Sequence, residues 1–273
     1  MVNPLDGLHP TDNKMKDKLT IAYSTNRGNK MKDKLIIAYS TNRSENYQKE
    51  FNKHLYKSSG CKPKVISYQN NSGESLTSVY NAIWNSIPLK DQKESIFVLC
   101  HHDIKFKTNG WGKNLLNIFN TNGWGKNLLN IFNTNKVDII GLAGTEKLYQ
   151  NSTWWLNKQG QFNTNDLWGK VWHTDGRKEW LSNFSSGKKC AKIQPVEVVD
   201  GLFLAFNPET CSQFDEDFKG FHFYDISFCY KNLKEGHKIC VTETIPVVHE
   251  SGGTLSPEWE QNRQLFIEKY QIN

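Results

Sequence analysis

The chain has 273 residues, 37% of them apolar and 12% aromatic, enough for one large α/β core or two small ones. Its 34 Lys and Arg against 28 Asp and Glu give a formal charge of +6, which suits anionic small molecules or an anionic membrane surface. That excess is too weak for nucleic acid, and no basic stripe interleaved with aromatics appears.

No apolar segment approaches the roughly 18 residues of a membrane span. Met1 to Lys14 is polar and lacks a signal-peptide core. Residues 1–30 read as an N-terminal extension containing a duplicated segment. Met15–Arg27 (MKDKLTIAYSTNR) recurs as Met31–Arg43 (MKDKLIIAYSTNR), differing only at Thr20 and Ile36. Two near-identical copies do not make a solenoid, and one core slot cannot hold both. Leu35–Tyr39 is continuously apolar, whereas Leu19–Tyr23 carries a hydroxyl at Thr20. The second copy is therefore the predicted central strand.

A polar turn follows at Ser40-Thr41-Asn42-Arg43, then a helix over Tyr47–Tyr56, a strand over Lys64–Tyr68 and a polar loop over Gln69–Gly73. Ser75–Ser86 reads as a helix with Leu76, Val79, Tyr80 and Ile83 on one face. Ile96–Cys100 is an unbroken apolar run, as a strand covered on both faces requires. It stops on His101-His102-Asp103. Ligands bind beyond the carboxyl ends of such strands, and a carboxylate there could hold a divalent cation against a phosphate. A polar surface turn is the plainer alternative.

The second duplication, Thr108–Asn120 (TNGWGKNLLNIFN) repeated without change over Thr121–Asn133, reads as two short helices broken at Asn122-Gly123. Lys136–Ala143 is the fourth strand. Tyr149–Lys189 holds five tryptophans (Trp154, Trp155, Trp168, Trp172, Trp180) and reads as a hairpin excursion or an irregular loop. Val196–Phe206 is a strand interrupted by Asp200-Gly201. Ile226–Asn232 is helical, Lys238–Val241 and Ile245–Val248 are short strands, and Pro257–Tyr270 is an amphipathic helix. Strands alternating with helices predict a mainly parallel α/β sheet with helices on both faces, in a single domain over 31–273. The six cysteines form no CxxC pair and read as reduced core residues of a cytosolic protein.

Four polar clusters punctuate the apolar strands: His101-His102-Asp103, Asp200-Gly201, Tyr224-Asp225 and His249-Glu250. With the segments IFVLCHHDIKF, VDIIGLAGT, VEVVDGLFLAF, FDEDFKGFHFYDISFCY and VVHESGG, they make the chain resemble a GT-A-fold glycosyltransferase, close to the bacterial family 2-like enzymes, from about Lys34 to Tyr270. The resemblance implies transfer of a sugar from a nucleotide-diphosphate donor to a glycan, lipid-linked or protein acceptor. The transfer would be inverting and assisted by Mn²⁺ or Mg²⁺. It implies Asp103 and His249 as metal ligands, His102 beside the donor, and Asp225 as catalytic base. Tyr39, Ser40, Thr41 and Asn81 would face the nucleotide donor; Asp200 and Tyr224 would face the acceptor. His101 stands where that family's motif has its first Asp, and a neutral imidazole brings no negative charge. One or two of the five tryptophans would stack on sugar rings.

Each role has a structural alternative: an N-cap at Asp225 for a helix starting at Ile226, a turn Asp at Asp200, a solvated Asn81. A non-catalytic nucleotide-sugar or carbohydrate-binding protein on the same fold is the competing function. A metal-dependent hydrolase using His101, His102, Asp103 and His249 is a third, without the usual paired motifs such as HExxH. The expected location is the cytoplasm, where the chain could associate peripherally with the inner face of the membrane.

Overall fold

The computed structural model describes residues 18–22, 35–123, 137–188, 192–250 and 255–271. Its strands are β1 (Leu19–Ala22), β2 (Leu35–Thr41), β3 (Lys64–Gln69), β4 (Ile96–Cys100), β5 (Ile104–Phe106), β6 (Ile139–Gly141), β7 (Ala143–Thr145), β8 (Leu167–Thr174), β9 (Glu179–Asn183), β10 (Gln194–Val196), β11 (Val198–Val199), β12 (Phe203–Phe206), β13 (Ile239–Val241) and β14 (Val247–His249). The helices are α1 (Glu45–Ser59), α2 (Leu76–Asn85), α3 (Leu89–Glu94), α4 (Trp111–Gly123), α5 (Tyr224–Lys234) and α6 (Pro257–Tyr270).

The main sheet has eight strands in the order β1-β3-β2-β4-β12-β6-β13-β10, and a second sheet runs β11-β7-β8-β14-β5, with β9 on β8. The main sheet is mixed rather than mainly parallel. β2 pairs parallel with β3 and β4, and β13 with β6. β12 runs antiparallel to both its neighbours, and β1 and β10 are antiparallel edges. An apolar run covered on both faces has the same pattern in either direction, so composition could not reveal that β12 is reversed. Pro195 sits in β10, at the edge where its missing N–H costs no ladder bond.

The two copies of the first repeat take different places. Leu35–Tyr39 lies inside the sheet with every residue buried, and Leu19–Ala22 forms an edge strand on β3. In the second repeat, the first copy supplies α4, whose Trp111, Leu115, Ile118 and Phe119 are buried. This helix runs on through Asn122 to end at Gly123; the predicted second helix lies outside the described residues.

Two predicted strands are split. Lys136–Ala143 becomes β6 and β7, which belong to different sheets, and Val196–Phe206 becomes parts of β10, β11 and β12. The chain passes from one sheet to the other after Gly141 and again after Val196, returning at Phe203. The first break does not show in the apolar run, because the connecting residue Leu142 is itself fully buried; the second passes through Glu197, and the return follows Asp200-Gly201. The tryptophan-rich segment contains a hairpin, β8–β9, with Trp172 opposite Leu181.

Register shows that the main sheet is covered on both faces. Ile36 pairs with Phe97, so these side chains share one face, and Tyr39 lies on the other. Phe51 of α1 packs edge-on against Tyr39 at 4.9 Å, while Trp84 of α2 packs on Phe97 at 5.7 Å. Trp84 continues into Phe206, which meets Phe214 and Phe228. Such ring pairs add about 0.5–1.5 kcal/mol each beyond their buried area. Helix α1 is bounded by sequence-encoded signals: the Ser44 hydroxyl accepts from the Tyr47 N–H, and Gly60 takes a left-handed φ of 71° after its end.

Candidate functional site

The polar clusters meet because of strand register. β4 ends at Cys100, which pairs with Phe203 at the start of antiparallel β12. The His101 N–H then donates to the Leu202 carbonyl at 3.0 Å, so Asp200 and Gly201 lie beside the end of β4. β14 runs antiparallel to β5 with His249 opposite Ile104, and the Glu250 N–H donates to the Asp103 carbonyl. The first turn of α5 closes the arrangement: the Gly201 N–H donates to Asp225 Oδ2 at 2.8 Å. Asp103, Asp200, Asp225 and His249 thus line one cavity of about 660 Å³ at the carboxyl ends of β2, β4 and β14.

His101, Asp103 and His249 each turn one ligand atom toward the others, all within 4.8 Å. His101 Nδ1 lies 3.3 Å from His249 Nε2, and Asp103 Oδ1 lies 3.4 Å from His249 Nε2 and 3.9 Å from His101 Nδ1. Asp103 Oδ1 is buried and has no hydrogen-bond partner among the described residues. A buried carboxylate oxygen whose nearest donor, His249 Nε2 at 3.4 Å, makes no full hydrogen bond is costly, and a cation between these groups would satisfy it. Burial alone would raise the Asp103 carboxyl's proton affinity, but His249, His101 and His102 outweigh it and hold the acid well below the usual carboxylate range. Burial, reinforced by His249, keeps His101 below the ordinary histidine value, the neutral form that binds metals. For His249, burial is overcome by Asp103 and the pKa is raised.

Asp225 sits in the first turn of α5, which begins at Tyr224, with Phe223 as its N-cap residue. It is therefore not the N-cap of a helix starting at Ile226. Phe223 has φ 62°, a strained value for a non-glycine residue. Packing holds it there: its buried ring lies among Trp259, Phe266 and Phe218. Asp225 Oδ1 accepts from the Ile226 N–H and Oδ2 from the Gly201 N–H, both at 2.8 Å. Burial and then the neighbouring Asp200 raise its pKa to about 7, against the pull of those N–H donors. Each oxygen keeps a lone pair for a proton.

Tyr224 turns its hydroxyl to His101 Nε2 at 3.0 Å. Tyr224, expected on the acceptor side, lines the cavity, and its hydroxyl supports the His101 imidazole. Gly201 makes the room, since a Cβ there would run into the Tyr224 ring. Gly201→Ala is therefore expected to displace Tyr224 and to lower stability by about 1–3 kcal/mol, as overpacking does. Urea unfolding measures this, and an unchanged midpoint would show that the ring yields freely.

On the other side of the cavity lie Ser40, Thr41, Asn42 and Asn70. His102 donates from Nδ1 to the Ser40 carbonyl at 3.3 Å and accepts at Nε2 from Arg43 Nε at 3.4 Å. Two expected donor contacts lie elsewhere. Tyr39 is fully buried and donates to Asn52 Oδ1 at 2.8 Å. Asn81 is buried and pins the Phe214–Glu216 loop through the Phe214 N–H and carbonyl and the Glu216 carboxylate. Their strand and helix positions turn them into the core and onto a loop, which the residue types alone do not reveal. Of the five tryptophans, Trp154 and Trp155 line the cavity. Phe162 and Phe221 stand at it, more than 40% exposed.

Sequence reading missed His173. It lies beside His249 through the parallel β8–β14 register, with ring centroids 5.9 Å apart; only that pairing signals it. Five of the chain's eight histidines (His101, His102, His173, His222 and His249) line the cavity, whereas no Lys or Arg does among the described residues.

A mixed α/β fold with carboxylates and histidines gathered at strand ends places a polar cleft where such folds bind ligands. The model of a glycosyltransferase-like family matches residues 121–270, and the chain belongs to this family. The matched span contains Asp200, Tyr224, Asp225 and His249; His101 to Asp103 precede it. No curated protein gives a significant match. No helix among the described residues is long and apolar enough to cross a membrane.

Proposed function

We propose that the protein transfers a sugar from a nucleotide-diphosphate donor to an acceptor hydroxyl, with inversion and with a divalent cation at the donor diphosphate. The observation that carries this reading is the shared cavity: a half-buried carboxylate of raised pKa, Asp225, faces the same space as the His101–Asp103–His249 cluster. Ser40, Thr41, Asn42 and Asn70 would face the nucleotide.

Asp225 takes the proton of the acceptor hydroxyl. The acceptor oxygen bonds to the anomeric carbon as the bond from that carbon to the diphosphate oxygen breaks. The electron pair leaves with the nucleoside diphosphate, and attack from the opposite face inverts the centre. Asp103 and His249 would hold the cation, which when bound would supply positive charge against the departing diphosphate. Among the described residues no Lys or Arg lines the cavity, which favours a bound cation in that role. Asp200 keeps the Asp225 carboxylate basic. Trp154, Trp155, Trp259 and Phe221 offer flat apolar faces to the acceptor's C–H surfaces.

A panel of nucleotide sugars, screened by thermal shift with and without Mn²⁺, tests this. One donor is expected to stabilise the protein only with the cation, by about 2.7 kcal/mol at a hundred times its Kd. NMR of the product should then show the inverted anomer. Stabilisation without turnover on any acceptor would favour a non-catalytic sugar-nucleotide binder, and no stabilisation by any donor would sink the reading.

A further inference from the structure

We propose that His101 is the third ligand of the cation site, and that the resulting two-imidazole, one-carboxylate set takes d-block divalent cations in preference to Mg²⁺. This rests on the cation of the proposed function, but concerns binding and not transfer.

Geometry supports the assignment first. His101 Nδ1, His249 Nε2 and Asp103 Oδ1 form a triangle with sides of 3.3, 3.4 and 3.9 Å. Its centre lies about 2.1 Å from each corner, the length of d-block bonds to imidazole nitrogen and carboxylate oxygen. Ca²⁺ needs longer bonds, about 2.3–2.6 Å. Mg²⁺ matches in size but not in chemistry: it demands oxygen ligands and sheds water reluctantly. Two nitrogens among three ligands favour Mn²⁺, Co²⁺ or Zn²⁺, in the usual ascending order from Mn²⁺ to Co²⁺.

The second observation is the support behind His101. For Nδ1 to ligate, Nε2 must carry the ring proton, and Tyr224 Oη lies 3.0 Å from it to accept. Metal-bound histidines are oriented by such a partner. Tyr224 is buried and held by Tyr80 at 5.6 Å, and Gly201 leaves room for its ring. The imidazole is thus fixed from the side away from the cluster. Asp103 Oδ1, orphaned among the described residues, completes the set.

Calorimetry on the full chain without donor tests the proposal with Mg²⁺, Mn²⁺ and Co²⁺ added separately. The expected order is Mg²⁺ weakest and Co²⁺ tightest, with Co²⁺ ahead of Mg²⁺ by at least about tenfold. His101→Ala is expected to weaken Co²⁺ by about tenfold or more and to change the Co²⁺ visible absorption. His101→Asp should narrow the gap by tightening Mg²⁺. His101→Gln, closer in size, gives the same reading if the alanine variant does not fold. Equal Kd values for Mg²⁺ and Co²⁺ in the native chain would overturn the preference. A folded His101→Ala or His101→Gln protein with unchanged Co²⁺ affinity and spectrum would overturn the ligand assignment. Failure of sugar transfer with these binding results intact would count against the proposed function alone.

Discussion

Asp225→Asn is expected to lower turnover by about 10²–10⁴-fold while donor binding survives. The substitution keeps the side-chain size and removes the group that accepts the acceptor's proton. The native chain should show the base directly. With a pKa raised to about 7, Asp225 is about half ionised at neutral pH. kcat/KM should therefore climb as pH rises through about 7 and level off above, because only the ionised form takes a proton. In the variant this limb should vanish. An Asp225→Asn protein with near-native turnover, or a native profile flat between pH 5 and 8, would remove the base from Asp225.

Asp103→Asn should act on binding instead, weakening cation and donor together. The loss should be at least as large as the about 10–100-fold that follows loss of an outer-shell partner. Asparagine offers a neutral carbonyl where Asp103 holds a carboxylate far below its usual pKa. Without the cation, the diphosphate would face Asp200 and Asp225 in a cavity that no Lys or Arg lines among the described residues. Calorimetry for Mn²⁺ and for the donor in Mn²⁺ separates the two variants. An equal loss of donor affinity in both would make Asp225 a donor ligand or a helix-terminal structural group.

Local pattern determined much of this protein. The continuous apolar run Leu35–Tyr39 marked the copy that enters the core, because an unbroken apolar run suits a slot covered on both faces, while Thr20 lies exposed on the edge strand β1. The run Ile96–Cys100, ending on His101-His102-Asp103, marked a strand that delivers polar groups at its carboxyl end, whereas Asp225 was singled out by the family resemblance and local pattern offered only a helix cap for it. Strand pairing decided the rest. A run buried on both faces does not encode its direction, so the reversed β12 and the changes of sheet around Leu142 and Glu197 were illegible. The same holds for the site. His173 reaches His249 only through β8–β14 register, and Tyr224 reaches His101 only because Gly201, brought up by β12, has no side chain in the way. Tyr39 and Asn81 have suitable chemistry, but they point away from the cavity. Residue period and strand ends are short-range properties written along the chain; direction, register and facing are set by contacts between segments far apart in it.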